Sequence, residues 1–120
     1  MILVDTNAWV SHLRAADARL VRFLLEGRVR TCDVAIGELL LGSGLPRGFA
    51  QDLMALPRVP TPAPAATRVF VERHRRSFAG GGVGWADAQI IHAATQSGMR
   101  VHTSDRAVRR VCKALAMPVA

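Results

Sequence analysis

Three short segments with strand character, "MILV" at residues 1–4, "RVRTCD" at 28–33 and "MRVHT" at 99–103, are separated by stretches long enough for one or more helices. Strands joined only by helical crossovers run parallel in one sheet, because a tight hairpin cannot connect parallel neighbours. The expected fold is therefore α/β, a three-layer α/β/α sandwich with a mostly parallel central sheet. In such sheets ligands bind beyond the carboxyl ends of the strands. The first strand is Ile2–Val4, and it runs straight into Asp5. A carboxylate directly after a buried strand needs a partner.

The helices follow from periodicity and from their punctuation. Asn7 is placed to cap a helix through Leu13, Asp17 caps "ARLVRFLLEG", and Asp33 is placed to cap "VAIGELLLGSG". "GFAQDLMAL" is a short helix, and "PRVPTPAPAA" is an extended connector whose Pro64 opens the helix "AATRVFVERHRRSFA". "GGGVG" then leads into "WADAQIIHAATQSG", closed by Gly98, and "SDRAVRRVCKALA" is the last helix, with a short strand at Val119. No internal repeat or composition break divides the 120 residues, so one domain over 1–120 is expected, burying about two-thirds of its unfolded surface.

Four acids occupy unusual places. Asp5 and Asp105 each follow a strand, at the edge where the fold puts its sites, although a helix cap explains either one alone. Glu38 has Val34, Leu41 and Leu45 at helical offsets, which sets it in an apolar stripe; Ala35, Ile36, Leu39 and Leu40 define a rival apolar face that would turn it to water. Asp87 is followed by Ile90 and Ile91 and preceded by Trp85 and Ala86, and it also suits a helix start. If the four converge they repel one another unless a cation intervenes, and an all-oxygen set with no spaced His or Cys points to Mg²⁺ or Mn²⁺.

The net charge of +7 comes from 16 basic and nine acidic residues, and every basic residue but Lys113 is arginine. Setting those four acids aside leaves five against 16, a surface suited to a polyanion such as a nucleic acid, although a GC-rich coding bias also favours arginine. No run approaches the ~18 apolar residues of a membrane span. Met1 leads into a strand without a basic leader, which reads as cytoplasmic. Cys32 and Cys112 have no metal spacing and read as small buried hydrophobes. Trp9 and Trp85 suit core packing or a subunit contact better than base stacking, Arg73–Arg76 a solvated face with Glu72 as partner, and His12, His92 and His102 packed histidines.

"MILVDTNAWV", "ELLLG", "GVGWADAQIIHAA" and "VHTSDRAV", in this order and over essentially the whole chain, resemble the PIN-domain ribonucleases, specifically the VapC-type toxins of toxin–antitoxin pairs. The resemblance implies a PIN-like fold and an endoribonuclease that hydrolyses single-stranded or looped RNA with Mg²⁺ or Mn²⁺. It puts the catalytic and metal-binding acids on Asp5, Glu38, Asp87 and Asp105, with Thr6 and Thr103 orienting them; Asn7 stands where serine is common. It also implies a small cognate antitoxin and a homodimer. A haloacid-dehalogenase-like site would need an acid at position 7, and a receiver domain a lysine after its last strand; neither is present. A non-catalytic PIN-like domain that binds RNA or protein is the alternative.

Overall fold

The computed structural model describes residues 1–120. Strand β1 (Ile2–Val4) lies between β2 (Val29–Arg30) and β3 (Arg100–His102), and both pairings are parallel, as the crossover argument requires. Ile2 is opposite Val29 and Arg100, and Val4 is opposite His102. Single bridges lengthen the sheet: Thr31 pairs with Arg58 of the proline-rich connector, and Val101 pairs with Val119, where the last strand was expected.

Alternation along β1 builds the layers, since successive side chains point to opposite faces. Ile2 and Val4 join Trp9, Leu20, Phe23 and Leu53 in one core. Leu3 joins Val101, Ile90, Ile91, Val108 and Val111 in the other. Helices α1 (Thr6–Arg14) and α2 (Ala18–Leu25) cover the first face; α7 (Trp85–Ser97) and α8 (Arg106–Ala114) cover the second. Helix α3 (Asp33–Leu41) touches both α1 and α7, with Leu39 in the first core and Ala35 in the second. Helix α4 (Phe49–Ala55) packs on α3, α5 (Pro64–Arg73) on α7, and α6 (Arg75–Phe78) on α8.

Three local expectations are corrected. Helix α1 is capped by Asp5, whose side chain accepts from the Ala8 amide, because the helix begins directly after β1 at Thr6; Asn7 lies inside it. Helix α3 is preceded by Cys32 with no side-chain cap, and Asp33 is its first residue, paired with Arg58 at 3.1 Å. The helix expected to span residues 65–79 breaks at His74, although no Gly or Pro stands there. Packing decides: the break lets Phe78 return edge-on to Phe70 at 6.0 Å, while the Phe70 ring stacks on His92 at 4.4 Å.

Both cysteines are buried and unbonded, and burial raises both thiol pKa values, that of Cys112 to about 11, so they behave as apolar side chains. No helix is long and apolar enough to cross a membrane. Leu25, Leu40, Leu41 and Met54 are the most exposed aliphatic side chains on α2, α3 and α4.

The connection between α6 and α7 is held closely. Gly80 and Gly82 adopt φ of +67° and +73°, and a Cβ on Gly81 would meet the Phe78 carbonyl oxygen at 2.9 Å. Arg110 donates to the Gly81 carbonyl from α8. Gly81→Ala is therefore expected to lower stability by about 1–3 kcal/mol through this backbone clash; an unchanged urea midpoint would contradict it.

Candidate active site

The carboxyl edge of the sheet begins with Asp5, which is 1% exposed. Its backbone N–H donates to the His102 carbonyl across the sheet, so the side chain leaves from the last rung of the ladder. One carboxylate oxygen, Oδ1, accepts from the Ala8 amide at 2.8 Å, and Oδ2 accepts from the Thr103 hydroxyl at 2.5 Å. Thr103 Oγ1 in turn accepts from the Asp105 amide at 3.0 Å, which ties the two strand-end acids through one hydroxyl. Asp105 caps α8 with Oδ1, accepting from Ala107 and Val108, and its Oδ2 accepts from Asn7 Nδ2 at 2.9 Å. Cap and site, opposed readings of these residues in the sequence, are compatible, since a carboxylate oxygen has two lone pairs and Oδ2 of each acid accepts only one hydrogen bond.

Glu38 comes from α3 and is half-buried, as is Asp87 in the first turn of α7. Glu38 Oε1 accepts from the Thr6 hydroxyl at 2.6 Å, and Asp87 Oδ2 accepts from the Gly84 amide at the start of its own helix at 3.3 Å. Of the two apolar stripes of α3 the rival one is buried, through Ala35, Ile36 and Leu39, while Leu41 of the stripe around Glu38 is 89% exposed, which corrects the apolar setting expected for Glu38. Glu38 is nevertheless not turned fully to water, because it meets Thr6 of α1 at the edge.

The acids share one electrostatic environment. Burial pushes Asp5 up to about 6; hydrogen bonds from Thr103 and Ala8 pull against this, and the charges of Asp87 and Asp105 add to it. Burial likewise raises Asp87, with further contributions from Glu38 and Asp105. None of the four forms an ion pair, whereas Glu26, Asp33, Glu72 and Asp17 each meet a cationic side chain or His. No three His, Cys, Asp or Glu side chains are placed to hold a metal ion by themselves. The oxygen-only donors and the buried Asp5 without a counter-charge are the features that fit a hard divalent cation, which keeps several of its waters and uses one or two carboxylates.

The neighbourhood divides into helpers and bystanders. A cleft of about 290 Å³ between α1 and α3 has Glu38 and Thr6 in its lining, together with Val10, Leu45 and Arg14. Trp9 is core, edge-on to Phe49 at 5.7 Å, whereas Trp85 is 49% exposed two residues before Asp87. The histidines are packed: His92 meets Thr67 at 2.9 Å, His102 meets Asp17 at 2.8 Å, and His12 Nδ1 accepts from the Asp17 amide. Glu72 pairs with Arg68 at 2.9 Å and not with the Arg73–Arg76 cluster, which corrects the expected local partner. Two contributors went unseen in the sequence. Asn7, expected as a cap and as the residue standing where serine is common, holds Asp105 with its amide, and Arg109 donates to the Thr103 carbonyl at 3.0 Å. The place of Asn7 two residues after Asp5 was a signal in the sequence, its partner was not; Arg109 carries no such signal.

Comparison with known proteins identifies the family and the fold. The model of the PIN domain matches residues 2–114. Ribonuclease VapC32 of Mycobacterium tuberculosis is 38% identical over 113 residues, covering 93% of this chain and 90% of the relative, and the same figures hold in two strains. Among solved structures, FitAcB from Neisseria gonorrhoeae superposes with a TM-score of 0.60 at 25% identity, over 99% of this chain and 96% of that one. FitAB bound to an IR36 DNA fragment gives 0.68 at 24%, over 100% and 94%. PAE2754 from Pyrobaculum aerophilum gives 0.60 at 15%, over 97% and 96%; the last two likenesses concern the fold alone.

The raised pKa of Asp5 has a definite sign. Asp5 favours the fold fully below its unfolded value of 3.8, and that contribution is lost as pH rises through about 6. The difference amounts to ~3 kcal/mol at neutral pH and above. In EDTA, Asp5→Asn is expected to be more stable than wild type at pH 8 by ~1–3 kcal/mol and close to it at pH 4. Urea unfolding at the two pH values checks this; a variant less stable at pH 8 than at pH 4, relative to wild type, would contradict it.

Proposed function

The chain belongs to the PIN-domain family, and on that premise we propose that it is a divalent-metal-dependent endoribonuclease, the toxin of a toxin–antitoxin pair. The observation that carries this reading is the gathering of Asp5, Glu38, Asp87 and Asp105 at one sheet edge with no protein cation among them. The similarity to a relative named a ribonuclease supports the substrate class. In this reading the protein works as one cytoplasmic domain over residues 1–120, on single-stranded or looped RNA. Its protein partners are a small antitoxin and a second copy of itself.

Asp5 and Asp87 would hold the cation, Mg²⁺ or Mn²⁺, with Asp105 beside them. A cation held there would supply Lewis acidity toward a phosphodiester and charge to offset that of its hydrolysis. Thr103 keeps Asp5 aimed at the site from the neighbouring strand. Thr6 fixes one oxygen of Glu38 and leaves the other to orient a water or a second cation. Asn7 restrains Asp105 in the same way. A domain that only bound RNA would gain nothing from four anions facing a polyanion, which weighs against the non-catalytic alternative.

Cleavage of tRNA or rRNA by the purified chain is expected with Mg²⁺ or Mn²⁺ and is expected to stop in EDTA. Asp5→Asn and Asp87→Asn should each reduce it by ~100-fold or more, equivalent to about 2.7 kcal/mol of barrier. Near-wild-type activity in either variant, with the fold intact, would refute the assignment. A separate check is thermal: Mn²⁺ should raise the melting temperature of wild type and leave that of Asp5→Asn unmoved. An equal rise in both would show that the ion binds elsewhere.

A further inference from the structure

Charge on this protein is segregated. No acid occurs between Glu72 and Asp87, and none follows Asp105, yet these two stretches carry Arg73, Arg75, Arg76, Arg106, Arg109, Arg110 and Lys113. The break at His74 makes the stretches neighbours, because it frees α6 to pack on α8. Arg75 and Arg76 are exposed and line a shallow concavity of about 340 Å³. Helix α8 buries Val108, Val111 and Cys112 and turns Arg106, Arg109, Arg110 and Lys113 outward. No residue of this face forms an ion pair, although Arg28, Arg58 and Arg68 elsewhere do.

Two of these arginines are also held in place, Arg109 on the Thr103 carbonyl and Arg110 on the Gly81 carbonyl. Bonding a backbone carbonyl fixes a guanidinium without neutralising it, so the positive charge is preorganised. The face adjoins the carboxylates along the chain. Asp105 immediately precedes Arg106, and the loop clipped by Arg110 leads into Trp85 and Asp87. Trp85 is the one aromatic among the exposed large apolar side chains. A basic stripe beside an exposed aromatic ring is the arrangement that binds a single strand, with phosphates on the charges and a base against the ring.

We propose that the α6–α8 face, with Arg75, Arg76, Arg106 and Lys113 outermost, is the track along which the backbone of single-stranded RNA reaches the carboxylate edge, with Trp85 stacking a base beside it. The assignment rests on the ribonuclease reading and adds to it the direction of substrate approach. Each phosphate contact of a single strand contributes ~0.7 to the slope of log K against log salt. The track should therefore show itself in salt dependence as well as in affinity.

The test uses the full chain and a fluorescein-labelled single-stranded RNA, with anisotropy read in EDTA across a range of NaCl concentrations. Arg75→Gln/Arg76→Gln is expected to bind roughly 10-fold more weakly at 0.1 M salt, with a slope shallower by roughly 1.4. Arg106→Gln/Lys113→Gln should behave alike, and Arg19→Gln/Arg22→Gln on α2 should match wild type. With metal present, the first two variants should raise KM and leave kcat unchanged. Wild-type affinity and slope in both track variants would overturn the proposal, even if an acidic protein bound them less well; so would an equal loss in the α2 variant. The two readings fail separately. Wild type that binds RNA on this face and never cuts it defeats the nuclease reading alone, whereas wild type that cuts RNA beside track variants of unchanged KM defeats the track alone.

Discussion

Asp5 is a carboxylate almost without water and without a counter-charge, and the rest of the edge is organised around it. Burial of an ionised acid is costly, and hydrogen bonds offset only part of that cost. Asp5 has two such bonds, and both come from neighbours that the sheet itself fixes. Ala8 follows because α1 starts directly after β1. Thr103 follows because β3 lies alongside in parallel register, Val4 opposite His102. The register that builds the core is therefore also what delivers a hydroxyl to the buried acid, and through that hydroxyl an orientation for Asp105.

Much of this was legible in the sequence because it is local or periodic. Apolar runs ending in acids marked β1 and β3, helical spacing marked α2 and α7, and Asp17 and Gly98 punctuated them as read. What escaped was tertiary. His102 finds Asp17 across 85 positions, and Asn7 finds Asp105 across 98, distances over which spacing says nothing. The break at His74 was invisible because no helix breaker stands there; aromatic packing of Phe70 against His92 and Phe78 sets it. The half-burial of Glu38 depends on Thr6 of α1 meeting it across 32 positions, which neither apolar stripe of α3 could reveal.

The arginine bias also acquires a partly structural meaning. Coding bias and phosphate binding both explain an excess of arginine over lysine, but Arg109 and Arg110 show a third use. Each reaches from α8 to a backbone carbonyl, one behind Thr103 and the other behind the loop that starts α7. A planar fork of donors suits that task better than a flexible ammonium, because it arrives with its geometry set. Consecutive residues on one helix thus steady both strand-end acids and the helix that bears Asp87.

The central position of β1 affects the order in which the protein matures. Its partner β3 follows about 100 residues later, so Asp5 and Asp105 meet only after that whole intervening stretch has been made. At ordinary translation speeds about 100 residues take roughly 5–20 seconds, and pairings this remote in sequence form slowly. Throughout that interval the first acid has left the ribosome without Thr103 or Asp105 to complete its surroundings. A truncated product ending before residue 100 lacks both, so the nascent chain stays chemically incomplete until its final helix can dock.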